Sequence, residues 1–178
     1  MFYLGIDVSK EKLDCALLDA ATGKVKAKVV ANTAIGFGKL LEWLQKHDAV
    51  GPHIIMEPTG VYHERAAFFL SDSGLTISFV NPAQIRKFAQ GIGVKTKTDK
   101  ADSQVLARYG NTQKPSAWQP PSASARTLKA LLARRDAVAD DLQRERNRQE
   151  KLVATETPEP VLQSSARNWN GCKKVSMT

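Results

Sequence analysis

Four carboxylates stand where their chemistry needs explaining. Asp7 lies inside an alternating run in which Phe2, Leu4, Ile6 and Val8 face one way and Tyr3, Gly5, Asp7 and Ser9 the other. A charge in a core strand is costly unless it is paired or ligates a metal, and the basic residue beside this run is Lys10. Glu57 closes the short apolar run from Pro52 and is followed by Pro58-Thr59-Gly60, at the strand end where open α/β sheets bind ligands. Asp99 and Asp102 form Asp-x-x-Asp at a helix start. Two readings fit that pair. Asp99 can be an N-cap with Asp102 at N3, as acids in a first turn favour. Alternatively, Asp102 shares the inward stripe with Leu106 and Tyr109, so that both acids face a sheet.

Acids delivered by separate elements suit hard cations such as Mg²⁺, with Mn²⁺ as a substitute. Phosphodiester chemistry commonly uses two such ions about 4 Å apart, which takes three or four converging carboxylates. His47, His53 and His63 have no metal-ligand spacing and read as ordinary core or surface residues. Neither a P-loop nor a nucleophile elbow nor a dinucleotide fingerprint occurs.

The elements that must position these acids are legible in outline. Residues 2–9, 13–19 and 24–31 read as an antiparallel three-strand meander, the last with a wet lysine face. A helix over 35–47, a strand over 52–57, a helix over 62–73, a strand over 75–80 and a short helix over 83–90 follow. That alternation predicts parallel connections, and therefore a mixed five-stranded sheet flanked by helices, an α/β class. A basic loop over 91–98 leads to a helix over 99–110. The expected organisation is a domain over 1–112, a Pro/Ser linker over 113–124, a long helix or coiled-coil arm over 125–160 and an irregular tail over 161–178, as of a chain that ends before its architecture is complete. In the arm, Leu128, Leu131, Val138, Leu142 and Leu152 fall near heptad positions, with Arg135, Glu145 and Gln149 interrupting the seam.

Composition narrows the classes. A chain of 178 residues with 42% apolar content can build a core, and its two cysteines, Cys15 and Cys172, make no disulfide framework. No apolar run is long enough to span a membrane and no signal peptide is evident, so a cytosolic location is expected. The charge of +8 is uneven: residues 1–81 hold 8 basic and 9 acidic residues, whereas 82–135 hold 11 basic residues against Asp99 and Asp102. Such a half is either a solvated basic surface or one that faces a polyanion. Lys10, Arg86, Lys87, Lys95, Lys97, Lys100, Arg108, Arg126 and Lys129 are the candidates for phosphate contacts.

Taken together, Gly5-Ile-Asp7-Val-Ser-Lys10, Met56-Glu57-Pro-Thr-Gly60 with Tyr62, Asn81-Pro82, Lys97-Thr-Asp99-Lys-Ala-Asp102 and the Pro-Ser-Ala-Trp118 segment resemble the N-terminal half of the DEDD transposases. These form the insertion sequence 110 family, which includes pilin-inverting recombinases. The similarity runs over about residues 3–160. It implies a RuvC-like, ribonuclease H-type fold, with Asp7, Glu57, Asp99 and Asp102 as the catalytic tetrad holding Mg²⁺. It further implies DNA recombination guided by a bridge RNA, homo-oligomers formed through residues 125–156, a nucleoid-associated bacterial setting, and a C-terminal serine domain that these residues lack. Two other readings compete: a sugar-kinase or actin-like ATPase fragment, for which a second glycine-rich phosphate loop is missing, and a non-catalytic nucleic-acid-binding module whose acids are helix caps.

Overall fold

The computed structural model describes residues 1–58, 60–94, 98–155, 157–161, 163 and 165. They divide into two units, Met1–Pro120 and the part from Pro121 onward. Lys95, Thr96 and Lys97 of the expected basic loop, and the tail from 166, lie outside the described residues.

In the first unit, β1 (Phe2–Val8), β2 (Lys12–Asp19) and β3 (Val25–Ala31) form the meander, joined by tight turns. The β1–β2 turn is tied by Ser9, whose N–H and Oγ each donate to the Lys12 carbonyl at 3.0 Å. Helix α1 (Ala34–Gln45) starts on Thr33, whose side chain accepts from the Gly36 N–H. Then come β4 (His53–Met56), α2 (Tyr62–Asp72), β5 (Ile77–Phe79), α3 (Pro82–Gly91) and α4 (Asp99–Gln113). The strand order is β3-β2-β1-β4-β5, antiparallel on the β2 side of β1 and parallel on the β4 side. This is the mixed, ribonuclease H-like sheet expected.

Strand alternation divides the core between the two faces. Leu4, Ile6, Leu13, Leu17, Ile54, Met56 and Ile77 pack with Phe37, Leu40 and Leu44 of α1 and with Ala66, Ala67 and Leu70 of α2. On the opposite face, Ile55 packs with Val105 and Leu106 of α4 and Ile85 of α3, while Tyr3 and Leu18 pack with Ala107. The burial of apolar area on both faces is what holds the three layers together.

Two boundaries differ from expectation for physical reasons. Helix α4 runs on to Gln113, three residues past Gly110, because Gly110 is a packing residue rather than a stop: a Cβ there would sit 2.5 Å from the Ile55 side chain. The Pro/Ser stretch is partly a clasp on the sheet edge. The Trp118 N–H donates to the Ile77 carbonyl at 2.6 Å, and its ring lies 5.0 Å from Phe79 and 5.4 Å from Phe68. Buried Ser78 donates to the Ser116 carbonyl at 2.7 Å, with His53 Nε2 at 2.7 Å from the same hydroxyl. This segment therefore covers the otherwise open edge of β5.

The second unit is dominated by α5 (Ala123–Ala154), capped by Ser122. Leu128, Leu131 and Leu132 on it are exposed. Glu145, one of the residues that interrupt the seam, is buried, 2.6 Å from Arg148 Nη1 and accepting from Ser165 Oγ at 3.0 Å. Among the described residues, no helix is long and apolar enough to cross a membrane.

Candidate active site

The site begins with a glycine. On β1, Tyr3, Gly5 and Asp7 share the face that α4 covers. A Cβ at Gly5 would lie 2.0 Å from the Ser103 carbonyl oxygen and 2.5 Å from the Ala107 nitrogen. Only a residue without a side chain lets the α4 backbone come this close to the strand. Because Gly5 sits two residues before Asp7 and Ser103 directly follows Asp102, the same contact carries the first turn of α4 to the carboxyl end of β1.

Asp7, half-buried at that end, is surrounded by carboxylates. Its pKa is pushed up from 3.8 to about 6, first by burial and then by the charges of Asp102, Asp99, Asp14 and Glu57. Asp14 is its cross-strand partner: the β1–β2 register sets Asp7 directly opposite Asp14, where Cβ atoms stand about 4.5–5.5 Å apart. Glu57, partly buried, directly follows Met56 at the end of β4. The other three sequence-assigned acids thus fall within electrostatic reach of Asp7, together with Asp14.

A cation bridges two acids of this group: Lys12. Its Nζ lies 2.9 Å from Asp14 Oδ2 and 2.7 Å from Asp99 Oδ2. Hydrogen bonds to Asp99 and then Asp14 hold the ammonium protonated well above the ordinary lysine range, and the same contact holds Asp99 below the ordinary carboxylate range. The donors are carboxylate oxygens, the hard ligands that Mg²⁺ takes. Among the described residues, no three His, Cys, Asp or Glu side chains are already grouped as a ligand set.

The cap reading of Asp99 is corrected. The N-cap of α4 is Thr98, whose Oγ1 accepts from the Ala101 N–H at 3.1 Å, so Asp99 is the first helical residue and spends its carboxylate on Lys12. Asp102 is partly buried, as the inward stripe with Leu106 requires. Of the basic candidates, Lys10, Arg86, Lys87, Arg108 and Lys129 are exposed and Arg126 is partly buried. Lys95 and Lys97 lie outside the described residues, as does the Lys100 side chain. Arg86 and Lys87 stand on α3 and Arg108 on α4, two helices that pack together through Phe88 and Tyr109, whose rings lie 5.3 Å apart.

Sequence reasoning missed Lys12, Asp14 and Asn32. Asp14 read as a member of the strand over 13–19 and Lys12 fell just before it, although their spacing of two already put both on one face. Asn32 is buried, and its Nδ2 donates to the Ser9 carbonyl at 2.9 Å and the Tyr62 carbonyl at 3.1 Å. It thereby ties the loop after Asp7 to the start of α2 beyond Glu57. Those contacts span 23 and 30 residues, and no local pattern announces them.

Comparison with known proteins shows the family to which the chain belongs. A family model described as transposase, the DEDD type of IS110 elements, matches residues 4–158. The pilin gene-inverting proteins of Moraxella bovis and Moraxella lacunata are each 38% identical to the chain over 152 residues, covering 84% of it and 47% of the relative. The chain thus spans about half the length of the curated relatives it matches. Among solved structures, T. thermophilus RuvC in complex with a Holliday junction substrate aligns at 13% identity and a TM-score of 0.46, over 66% of this chain and 99% of that one. The catalytic core domain of BIV integrase aligns at 14% identity and a TM-score of 0.30, over 75% of this chain and 96% of that one. On the family match and the identity to both pilin gene-inverting proteins, the chain belongs to the IS110 family of DEDD transposases.

Proposed function

We propose that these residues form the metal-binding catalytic half of a transposase that recombines DNA at the ends of an insertion sequence, with Asp7, Glu57, Asp99 and Asp102 holding Mg²⁺ or Mn²⁺. The observation that carries this reading is the crowding of carboxylates near Asp7 at the carboxyl ends of β1 and β4: burial and the charges of Asp102, Asp99, Asp14 and Glu57 together push its pKa up to about 6. Divalent ions bound there would stabilise the attacking and leaving oxygens of a phosphodiester displacement. The protein's own part is to fix the acids. Gly5 admits α4, the β1–β2 register places Asp7 beside Asp14, and Thr98 takes over the cap so that Asp99 is left for the site.

The basic candidates on α3, α4 and α5, together with Lys10 and the lysines at 95, 97 and 100, would meet phosphates of DNA and of a guiding bridge-type RNA. A serine supplied by a C-terminal domain would be the nucleophile, and residues 125–156 would pair protomers, leaving this half unable to exchange strands unaided. A donor–target strand-exchange assay in Mg²⁺ tests the whole reading. The chain alone should give no recombinant product. Product should appear when the remaining half of a relative is added in trans, and Asp7→Asn should abolish it. Recombination by the chain alone, or undiminished activity of Asp7→Asn, would overturn the division of labour or the metal site respectively.

A further inference from the structure

We propose that Lys12 is a tethered counter-cation of the acidic site, holding Asp99 against Asp14 in the metal-free protein and competing with a divalent ion for Asp99. The inference rests on the reading of the acids as metal ligands.

Three observations support it. First, the ammonium bridges two carboxylates from different elements, at 2.9 Å from Asp14 Oδ2 and 2.7 Å from Asp99 Oδ2, the latter 87 residues away in sequence. A lysine head is a compact charge with three donors, so it can serve both acids at once. Second, the lysine is presented from a fixed backbone. Its own N–H donates to Ser9 Oγ at 3.2 Å, and the Ser9 N–H and hydroxyl donate back to its carbonyl. Third, the two acids differ in freedom. The Asp14 side chain, in mid-strand, is 9% exposed, whereas that of Asp99, in the first turn of α4, is 57% exposed. Asp14 is therefore the fixed anchor of the ammonium and Asp99 the partner that can be given up. An incoming divalent ion carries twice the charge of the ammonium and repels it, so the site fills by exchanging Lys12 for the ion at Asp99. Lys12 would then be a positioning residue that sets how readily metal enters, not a ligand.

The test measures Mn²⁺ binding to the purified chain by loss of the free-ion paramagnetic resonance signal. Wild type is compared with Lys12→Met, Lys12→Gln and Lys12→Arg, the two neutral variants together guarding against a failure of either to fold. The neutral variants should bind Mn²⁺ about two- to fivefold more tightly, the scale of an exposed ion pair, and melt below wild type in EDTA. Lys12→Arg should keep wild-type affinity or bind more weakly. Unchanged or weaker Mn²⁺ binding by the neutral variants, with wild type binding the ion, would overturn the proposal and leave the acids' reading intact. Failure of wild type to bind Mn²⁺ at all would overturn both.

Discussion

The acids around Asp7 and the acids along α5 are the same chemical groups under opposite rules. On α5, Asp141 pairs with Arg144, Glu150 with Arg146 and Asp136 with Arg135, each one to four residues away. Those charges are satisfied locally and stand in solvent. At the sheet, Asp102, Asp99, Asp14 and Glu57 all bear on Asp7, and Lys12 bridges two of them, Asp14 and Asp99. A solvent-exposed helix surface places opposite charges at neighbouring positions. A site that must hold a cation keeps like charges together and bears their repulsion.

The largest test of this contrast is Gly5→Ala. The added Cβ would meet backbone atoms of α4 that cannot swing away, so unfolding should be easier by about 3 kcal/mol or more. If the variant does fold, α4 should stand off the sheet and the pKa of Asp7 should fall back toward 3.8. Equilibrium denaturation measures the first effect and carboxyl NMR titration the second. An equivalent change on the exposed face of α5 should have neither.

Next in size is the pH dependence contributed by Asp7. The folded protein keeps this carboxyl protonated up to about 6, while the unfolded chain releases the proton near 3.8. Protons bound by the native state but not by the unfolded one make stability fall as pH rises. The contribution of Asp7 is thus fully present below 3.8 and lost by pH 6. The full shift corresponds to roughly 3 kcal/mol, and partial solvent exposure reduces the expected loss to about 1–2 kcal/mol. Denaturation midpoints across this window, for wild type and Asp7→Asn, isolate the effect as the difference between the two slopes.

The smallest effect belongs to α5. Arg144→Ala removes a fully solvated pair with Asp141 and should leave the thermal midpoint unchanged within error. A clear destabilisation there would mean that the arm's ion pairs do more than keep it soluble.

This contrast also explains what could be read in advance. The strands and helices follow from local alternation and period, so β1 through α4 were legible, and Asp7, Glu57, Asp99 and Asp102 drew notice through their unusual positions. Thr98 as cap was not, because Thr98 and Asp99 both cap well and only the helix's approach to β1 decides between them. Lys12 and Asp14 escaped notice because their meaning lies in a register, Asp7 against Asp14, and in an ion pair spanning 87 residues. The clasp at Trp118 looked like a linker, since proline and serine content says nothing about a single tryptophan finding Phe68 and Phe79.

The central claim, that the carboxylates around Asp7 are assembled for a divalent cation rather than for helix capping, is tested most directly by four thermal melts: wild type and Asp102→Asn, each in EDTA and in Mg²⁺. In EDTA the variant should melt at or above wild type, because one of several crowded negative charges is gone. Mg²⁺ should raise the wild-type midpoint, by about 1.4 kcal/mol of stability at ten times the dissociation constant, and raise that of the variant less. A wild-type midpoint indifferent to Mg²⁺ and Mn²⁺, together with a lower midpoint for Asp102→Asn in EDTA, would contradict the account and return Asp102 to a first-turn helix acid.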